Sequence, residues 1–104
     1  MVKIDVLSIE NLNKSFRDQL KRASLSVALN IAEGAGRFSK ADKRNFLVIA
    51  RGSLIECVAI LDLLQSEEII SSEKYKTFYF KAEEISKMLY AMIRESEGIS
   101  LKKN

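Results

Sequence analysis

The sequence predicts an all-α protein, an antiparallel up-down bundle of three long helices. Its 104 residues include no proline and only four glycines, so few positions interrupt a helix. Apolar residues recur at spacings of three and four, which is the period of a helix. The contents of 47% hydrophobic and 30% charged residues are typical of a folded globular protein. We therefore expect a single helical domain over residues 1–104.

The first helix is predicted over residues 11–33. Residues 1–10 alternate loosely between apolar and polar side chains and show no helical stripe, so we expect an extended or irregular lead-in there. Residues 23–32 are apolar on nearly every side, which predicts burial on several sides. The apolar stripe of the helix consists of Leu12, Phe16, Leu20, Ala23, Val27 and Ile31.

The second helix is predicted over residues 39–65. Gly34 and Gly36 indicate a preceding turn, in which glycine takes the left-handed conformation that ends helices. Ser39 and Asp42 have the spacing of a capping box. Gly52 costs an isolated helix about 1 kcal/mol relative to alanine, so we expect it to mark close approach of another backbone or a bound group. The stripe consists of Phe46, Leu47, Ala50, Leu54, Cys57, Leu61 and Leu64.

The third helix is predicted over residues 72–97, capped by Ser71 or Ser72, with a frayed basic tail over 98–104. Short connections force neighbouring helices to run antiparallel. Three helices make a thin bundle, and apolar surface left over on a thin bundle predicts association with further copies of the chain. The seam of this helix consists of Tyr75, Phe78, Ala82, Ile85, Leu89 and Met92.

The residue types present argue against catalysis. The chain has no histidine, so it lacks the usual base near neutral pH and the commonest transition-metal ligand. We expect no enzymatic activity, no metal and no cofactor. The alternative is an enzyme that uses Glu33 and Glu56 as a carboxylate pair. Cys57 has no partner for a disulfide and is predicted to be a small core residue. No leader and no apolar run of about 20 residues is present, so we expect a cytoplasmic protein without membrane contact.

The positive charge is concentrated in the first half of the chain. Residues 1–52 contain ten Lys and Arg against five Asp and Glu, whereas the whole chain has a net charge of +3. This asymmetry favours a polyanionic partner, with a plain solvated helix face as the alternative. The candidate phosphate-binding residues are Lys14, Arg17, Lys21, Arg22, Arg37, Lys40, Lys43 and Arg44.

Two polar residues, Asn30 and Glu56, lie at positions where the helical period predicts contact between the first two helices. We expect Asn30 and Glu33 to face Ser53 and Glu56 across the helix pair, near Gly34 and Gly52. The cluster is interpreted either as a structural hydrogen-bonded contact or as a polar ligand pocket.

Residues 19–57 resemble the family of four-helix-bundle proteins first described as encoded by intervening sequences in bacterial 23S rRNA genes. The resemblance is carried by three short motifs and one aromatic residue. They are Arg22 to Ser24, Asn30 to Gly34 followed by Gly36 and Arg37, then Phe46, and the pattern of Ala50, Gly52, Ser53 and Glu56. Members usually have a further long helix before the segment that begins here near Ser8, so the first helix of this chain corresponds to their second.

This resemblance implies an up-down bundle that assembles into a homopentamer and has no established catalytic activity. A related branch, the accessory proteins of diversity-generating retroelements, binds nucleic acid and a reverse transcriptase. We therefore expect a homo-oligomeric scaffold that binds RNA or another nucleic acid through its basic face. The alternative is a protein-interaction module whose surface charge is incidental.

Overall fold

Three antiparallel helices make up the part of the protein that the structure describes. The computed structural model describes residues 6–98, with side chains from residue 13 onward. The helices are α1 (Val6–Ala35), α2 (Lys40–Ser66) and α3 (Ser72–Ser96), and no strand occurs within the described range. This confirms the all-helical prediction. The bundle is elongated, with dimensions of 57 × 25 × 20 Å. The helix α2 packs against both α1 and α3, whereas α1 and α3 do not approach each other closely.

The first helix begins earlier than predicted. It starts at Val6, so the expectation of irregular structure is wrong for residues 6–10, while residues 1–5 lie outside the described part of the chain. Adding residues to an existing helix costs far less than nucleating one, and neither glycine nor proline interrupts this segment. The helix therefore continues through a stretch that has no apolar stripe of its own.

Close helix packing explains the glycine at the end of α1. Gly34 is buried, and a Cβ atom there would lie 3.3 Å from the Phe46 Cβ and 3.4 Å from the Lys43 carbonyl oxygen. Neither Gly34 nor Gly36 has a positive φ, so the predicted left-handed turn is wrong. The physical requirement at Gly34 is room for α2 rather than an unusual backbone conformation.

Serine side chains cap the two later helices. The Ser39 Oγ accepts a hydrogen bond from the Asp42 amide at 3.0 Å, which confirms the predicted cap of α2. The Ser71 Oγ accepts from the Lys74 amide at 3.1 Å, which selects Ser71 over Ser72 as the cap of α3. Both contacts satisfy amide groups that a helix leaves without partners.

The connection between α2 and α3 contains a backbone feature that the sequence did not indicate. Glu68 adopts a left-handed conformation with φ of 59°, and the following Ile69 amide donates to the Leu64 carbonyl at 2.8 Å. A left-handed residue just past the helix end, followed by a bond that spans five residues, is a common helix terminator in which glycine is usual. A glutamate therefore occupies a position suited to glycine. Of the tail predicted over 98–104, residues 99–104 lie outside the described residues.

The core is centred on α2. Of the twelve buried apolar residues from residue 13 to residue 98, that helix contributes seven, whereas α1 contributes Ala23 and Val27 and α3 contributes Ala82, Leu89 and Ile93. Leu25 and Leu29 of α1 are 58% and 54% exposed, so the prediction that residues 23–32 are buried on several sides is wrong within one chain. The reason is that α1 contacts only one other helix closely. Among the described residues, no helix is both long enough and apolar enough to cross a membrane.

Candidate nucleic-acid interface

Half of the candidate basic residues lie together on α1. Lys14, Arg17, Lys21 and Arg22, here named the α1 basic group, are all exposed. The first three follow the helical period and share one side of α1, and Arg22 lies about 100° further round. No ion pair involves any of the four within the described part of the chain. Their positive charge is therefore available to an external anion.

The other four basic residues surround the turn between α1 and α2. This turn basic group comprises Arg37, Lys40, Lys43 and Arg44. The Arg37 guanidinium lies 3.1 Å from a Glu33 carboxylate oxygen and 4.7 Å from the centre of the Phe46 ring. Arg44 lies 3.5 Å from Glu97. These exposed pairs add little stability, about 0–1 kcal/mol each, but they partly neutralise the charge of this group.

The structure does not join the eight residues into one continuous face. Lys21 and Gly34 are 13 residues apart on α1, a separation of about 20 Å at 1.5 Å per residue. Gly34 packs beside Lys43, so the turn basic group lies at the opposite end of the helix pair from the α1 basic group. Exposed Leu25 and Leu29 lie between the two groups on α1.

A small polar contact joins α1 to α2. The Ser26 and Ser53 hydroxyl oxygens are 2.7 Å apart, and the Asn30 Nδ2 donates to the Ser26 carbonyl at 2.8 Å and to the Ser26 Oγ at 3.1 Å. Because the Ser26 hydroxyl accepts from Asn30, its own hydrogen is free to point to Ser53. Ser26 was not predicted to belong to this contact, although its position one turn before Asn30 offered a signal.

The remaining members of the predicted polar cluster lie elsewhere. Glu33 and Glu56 are both exposed, and Glu33 pairs with Arg37 rather than with α2. Gly52 is also exposed, and a Cβ atom there would meet nothing within 4 Å, so the expected close approach of a backbone does not occur within this chain. The described residues contain no group of three or more His, Cys, Asp or Glu side chains arranged to hold a metal ion.

Among the described residues, the pKa values of two ionisable side chains are shifted. Cys57 is buried in the core as predicted, and burial raises the pKa of its thiol, while the Ser24 hydroxyl lies 3.7 Å away. The Tyr75 hydroxyl donates a hydrogen bond to the Asp62 carboxylate, which raises the pKa of Tyr75 to about 12. Cys57 lies in the packing between α1 and α2, and the hydrogen bond from Tyr75 joins α3 to α2.

A long apolar groove runs between α1 and α3, above α2, with a volume of about 440 Å³. Leu54, Cys57 and Leu61 of α2 form its floor. This α1–α3 groove exists because the two outer helices pack on α2 but not on each other. Its walls include Leu20, Val27, Ala28 and Ile31 of α1 and Phe78, Lys81, Ile85, Met88 and Met92 of α3.

The chain is similar to known proteins both in sequence and in structure. Residues 6–91 match the model of the family described as 23S rRNA-intervening sequence protein. The chain is also similar to a crystal structure from Bacteroides thetaiotaomicron VPI-5482, a protein of unknown function from the S23 ribosomal protein family. The two share 33% sequence identity with a TM-score of 0.74, over 76% of this chain and 70% of that chain. No curated protein sequence matches the chain.

Proposed function

The chain belongs to the 23S rRNA-intervening sequence protein family, and from that membership we propose that it is a non-catalytic, homo-oligomeric scaffold that binds RNA or another nucleic acid. The α1 basic group is the proposed binding surface. The observation that carries the proposal is the exposure of its four cations within three turns of one helix, with no ion pair to any described residue.

Four cations on one helix favour contact with the phosphate backbone. Arg and Lys contacts to phosphate position a protein on nucleic acid without reading its sequence, and their affinity falls steeply with salt. With four phosphate contacts on a duplex, affinity should fall about 100-fold between 50 and 200 mM salt. The turn basic group should contribute less, because Arg37 and Arg44 already pair with carboxylates.

Self-association would strengthen weak individual contacts. A ring of identical subunits repeats the α1 basic group, so that several copies bind one nucleic acid and the combined affinity exceeds that of a single subunit. The exposed Leu25, Leu29 and Met88, at 54–61%, support association, because apolar surface of this kind usually marks an interface. A subunit count of five is the form that family membership favours.

A mobility-shift titration with a labelled structured RNA and a DNA duplex, at 50 and 200 mM salt, tests the nucleic-acid proposal. The test variant is Lys14→Glu, Arg17→Glu, Lys21→Glu, and the control, with the same change in net charge, is Lys74→Glu, Lys76→Glu, Lys87→Glu on α3. We expect a salt-sensitive complex with the original chain and the control, and none with the test variant. Equal binding by both variants, or no complex at the lower salt, would contradict the proposal.

A protein-interaction module is the second candidate, and the apolar α1–α3 groove is the observation that favours it. In that case the oligomer docks a helix of another protein, and the positive charge has no part in binding. Capture of one defined protein partner that survives nuclease treatment, together with failure of the mobility shift, would favour this candidate over nucleic-acid binding.

A further inference from the structure

We propose that the turn between α1 and α2 binds an unpaired base of a nucleic acid, with the Phe38 ring stacked on the base and Lys40 and Lys43 in contact with the neighbouring phosphates. These three residues are named the Phe38 site. The inference rests on the proposed function and narrows it, because it makes nucleic acid with unpaired bases, such as the loop of an RNA hairpin, the preferred partner.

Phe38 is the most exposed large apolar side chain from residue 13 to residue 98. Its relative exposure is 104%, whereas the next in order, Ile55, is 62% exposed. No side chain in the described part of the chain therefore covers the ring. A phenylalanine in full contact with water adds no burial energy to a single chain, and its flat faces are open to a flat partner.

Hydrogen bonds hold the backbone on both sides of Phe38. The Arg37 amide donates to the Gly34 carbonyl at 3.2 Å, and the Lys43 amide donates to the Ser39 carbonyl at 3.1 Å. The Ser39 side chain also caps α2. The ring is therefore carried outward on a well-connected turn. An aromatic side chain placed in this way loses little conformational freedom when it binds a partner.

The second phenylalanine near the turn has a different role. Phe46 is half-buried, and its Cβ lies against Gly34 where α1 and α2 approach closely. The Arg37 guanidinium lies 4.7 Å from the centre of the Phe46 ring. Packing of the turn thus uses the Phe46 ring and leaves the Phe38 ring in solvent. Within the described residues, no contact accounts for an aromatic side chain at position 38.

The charge beside Phe38 is complementary to a phosphate backbone. Residues 37–44 contain four Lys and Arg against one Asp. The two arginines of this segment pair with carboxylates, but Lys40 and Lys43 form no ion pair with any residue that the structure describes. An unpaired nucleotide presents a flat base next to a phosphate, so an aromatic ring beside available cations matches both of its parts.

A membrane surface matches the Phe38 site less well than an unpaired base does. Binding to a lipid surface needs a stretch with several apolar side chains on one face. Phe38 is the only large apolar residue between residues 36 and 44. A single ring is sufficient for stacking on one base, because each stacked base contributes to affinity by itself. The observations therefore favour nucleic acid.

One folded nucleic acid is long enough to contact the Phe38 site and the α1 basic group together. The part of α1 that separates them is about 20 Å long, whereas one turn of a duplex is about 34 Å long. The phosphates of a stem would contact the α1 basic group, and the loop would supply the unpaired base. A duplex without unpaired bases would bind through its phosphates only.

A tryptophan in place of Phe38 reports stacking directly, because the chain contains no other tryptophan. In free Phe38→Trp we expect the emission of a solvent-exposed indole, which an RNA hairpin with an unpaired loop quenches and a fully paired duplex of equal length does not. Emission of a buried indole in the free protein would show that another copy covers this position and would overturn the proposal. Quenching by anionic phospholipid vesicles but not by the hairpin would overturn it in favour of a membrane.

The substitution Phe38→Ala measures the contribution of the ring to affinity. The side chain has no contacts to lose, so circular dichroism should show an unchanged fold. In a mobility shift we expect a loss of affinity for the hairpin of roughly fivefold or more, and no change for the duplex. Phe80→Ala, at a phenylalanine of α3 that is 61% exposed, is the control and should bind the hairpin normally. An unchanged affinity of Phe38→Ala for the hairpin would refute the stacking.

The cations of the site are tested by the double variant Lys40→Gln, Lys43→Gln. We expect weaker binding of the hairpin and a smaller dependence of affinity on salt, because two phosphate contacts are lost. An unchanged salt dependence would overturn the role of both lysines. If the original chain binds hairpin and duplex but is insensitive to all these changes, only the Phe38 site is refuted. If the original chain binds neither, the proposed nucleic-acid function is refuted as well.

Discussion

The hydroxyl oxygens of Ser26 on α1 and Ser53 on α2 lie 2.7 Å apart, and this contact joins the two helices at a half-buried position. A hydrogen bond between side chains contributes about 0.5–1.5 kcal/mol to stability. We expect Ser26→Ala and Ser53→Ala each to lower the free energy of unfolding, with a coupling energy of about 1 kcal/mol in a double-mutant cycle. Denaturant unfolding at one fixed protein concentration measures the free energies from which this coupling energy is calculated. Purely additive effects would show that the contact contributes nothing.

Gly34 and Gly36 should respond differently to the same substitution. A methyl group at Gly34 would lie 3.3 Å from the Phe46 Cβ and 3.4 Å from the Lys43 carbonyl oxygen, so α1 and α2 must move apart. We expect Gly34→Ala to lower the free energy of unfolding by about 1–2 kcal/mol, as overpacking usually does. At Gly36 the nearest atoms are 3.7 Å away, so Gly36→Ala is the control and should be nearly neutral. Equal effects in thermal unfolding would contradict the close approach at Gly34.

Replacement of Glu68 by glycine should stabilise the protein. Glu68 has φ of 59°, a conformation that costs a residue with a side chain about 1–2 kcal/mol. Glycine removes this strain but has more freedom in the unfolded chain, so we expect a net gain of about 0.5–1 kcal/mol from Glu68→Gly. Glu67→Gly, at the neighbouring position with φ of −87°, is the control and should destabilise. Denaturant unfolding measures the stability of both variants. A loss of stability in Glu68→Gly would contradict the left-handed conformation of Glu68.

The contact between Tyr75 and Asp62 predicts a dependence of stability on pH. The hydrogen bond to Asp62 raises the pKa of Tyr75 to about 12, above the ordinary value of about 10 for an unfolded chain. A raised pKa means that the contact stabilises the fold fully below about pH 10 and that this stabilisation is lost as the pH rises towards 12. Tyrosinate absorbance should show one tyrosine ionising near pH 12, and Asp62→Asn should lower that pKa. An unchanged titration curve in Asp62→Asn would refute the contact.

Sequence pattern was sufficient for the parts of the fold that depend on local chemistry. The helical period placed Leu54, Cys57 and Leu61 in the core, and short-range capping chemistry placed Ser39, and either Ser71 or Ser72, at helix starts. These features depend on residues within about one turn of each other. They could therefore be predicted without knowledge of how the helices pack.

Features that depend on the relative placement of helices could not be predicted. Gly34 lies against α2, whereas nothing in the chain lies within 4 Å of a Cβ atom at Gly52, so the same residue type led to wrong interpretations at both positions. The basic residues were predicted as one surface, but the length of α1 separates them into two groups. The exposure of Leu25 and Leu29 likewise depends on packing, because these residues lie on the side of α1 that faces neither α2 nor the α1–α3 groove.

We propose that a single copy leaves too much apolar surface uncovered and therefore assembles with further copies, which repeats the α1 basic group. Size-exclusion chromatography coupled to multi-angle light scattering, over a range of micromolar concentrations, measures this self-association. We predict a mass that is a fixed multiple of 11.8 kDa at every concentration above the dissociation range. A monodisperse, stably folded species of 11.8 kDa at the highest concentration would show that the chain does not self-associate.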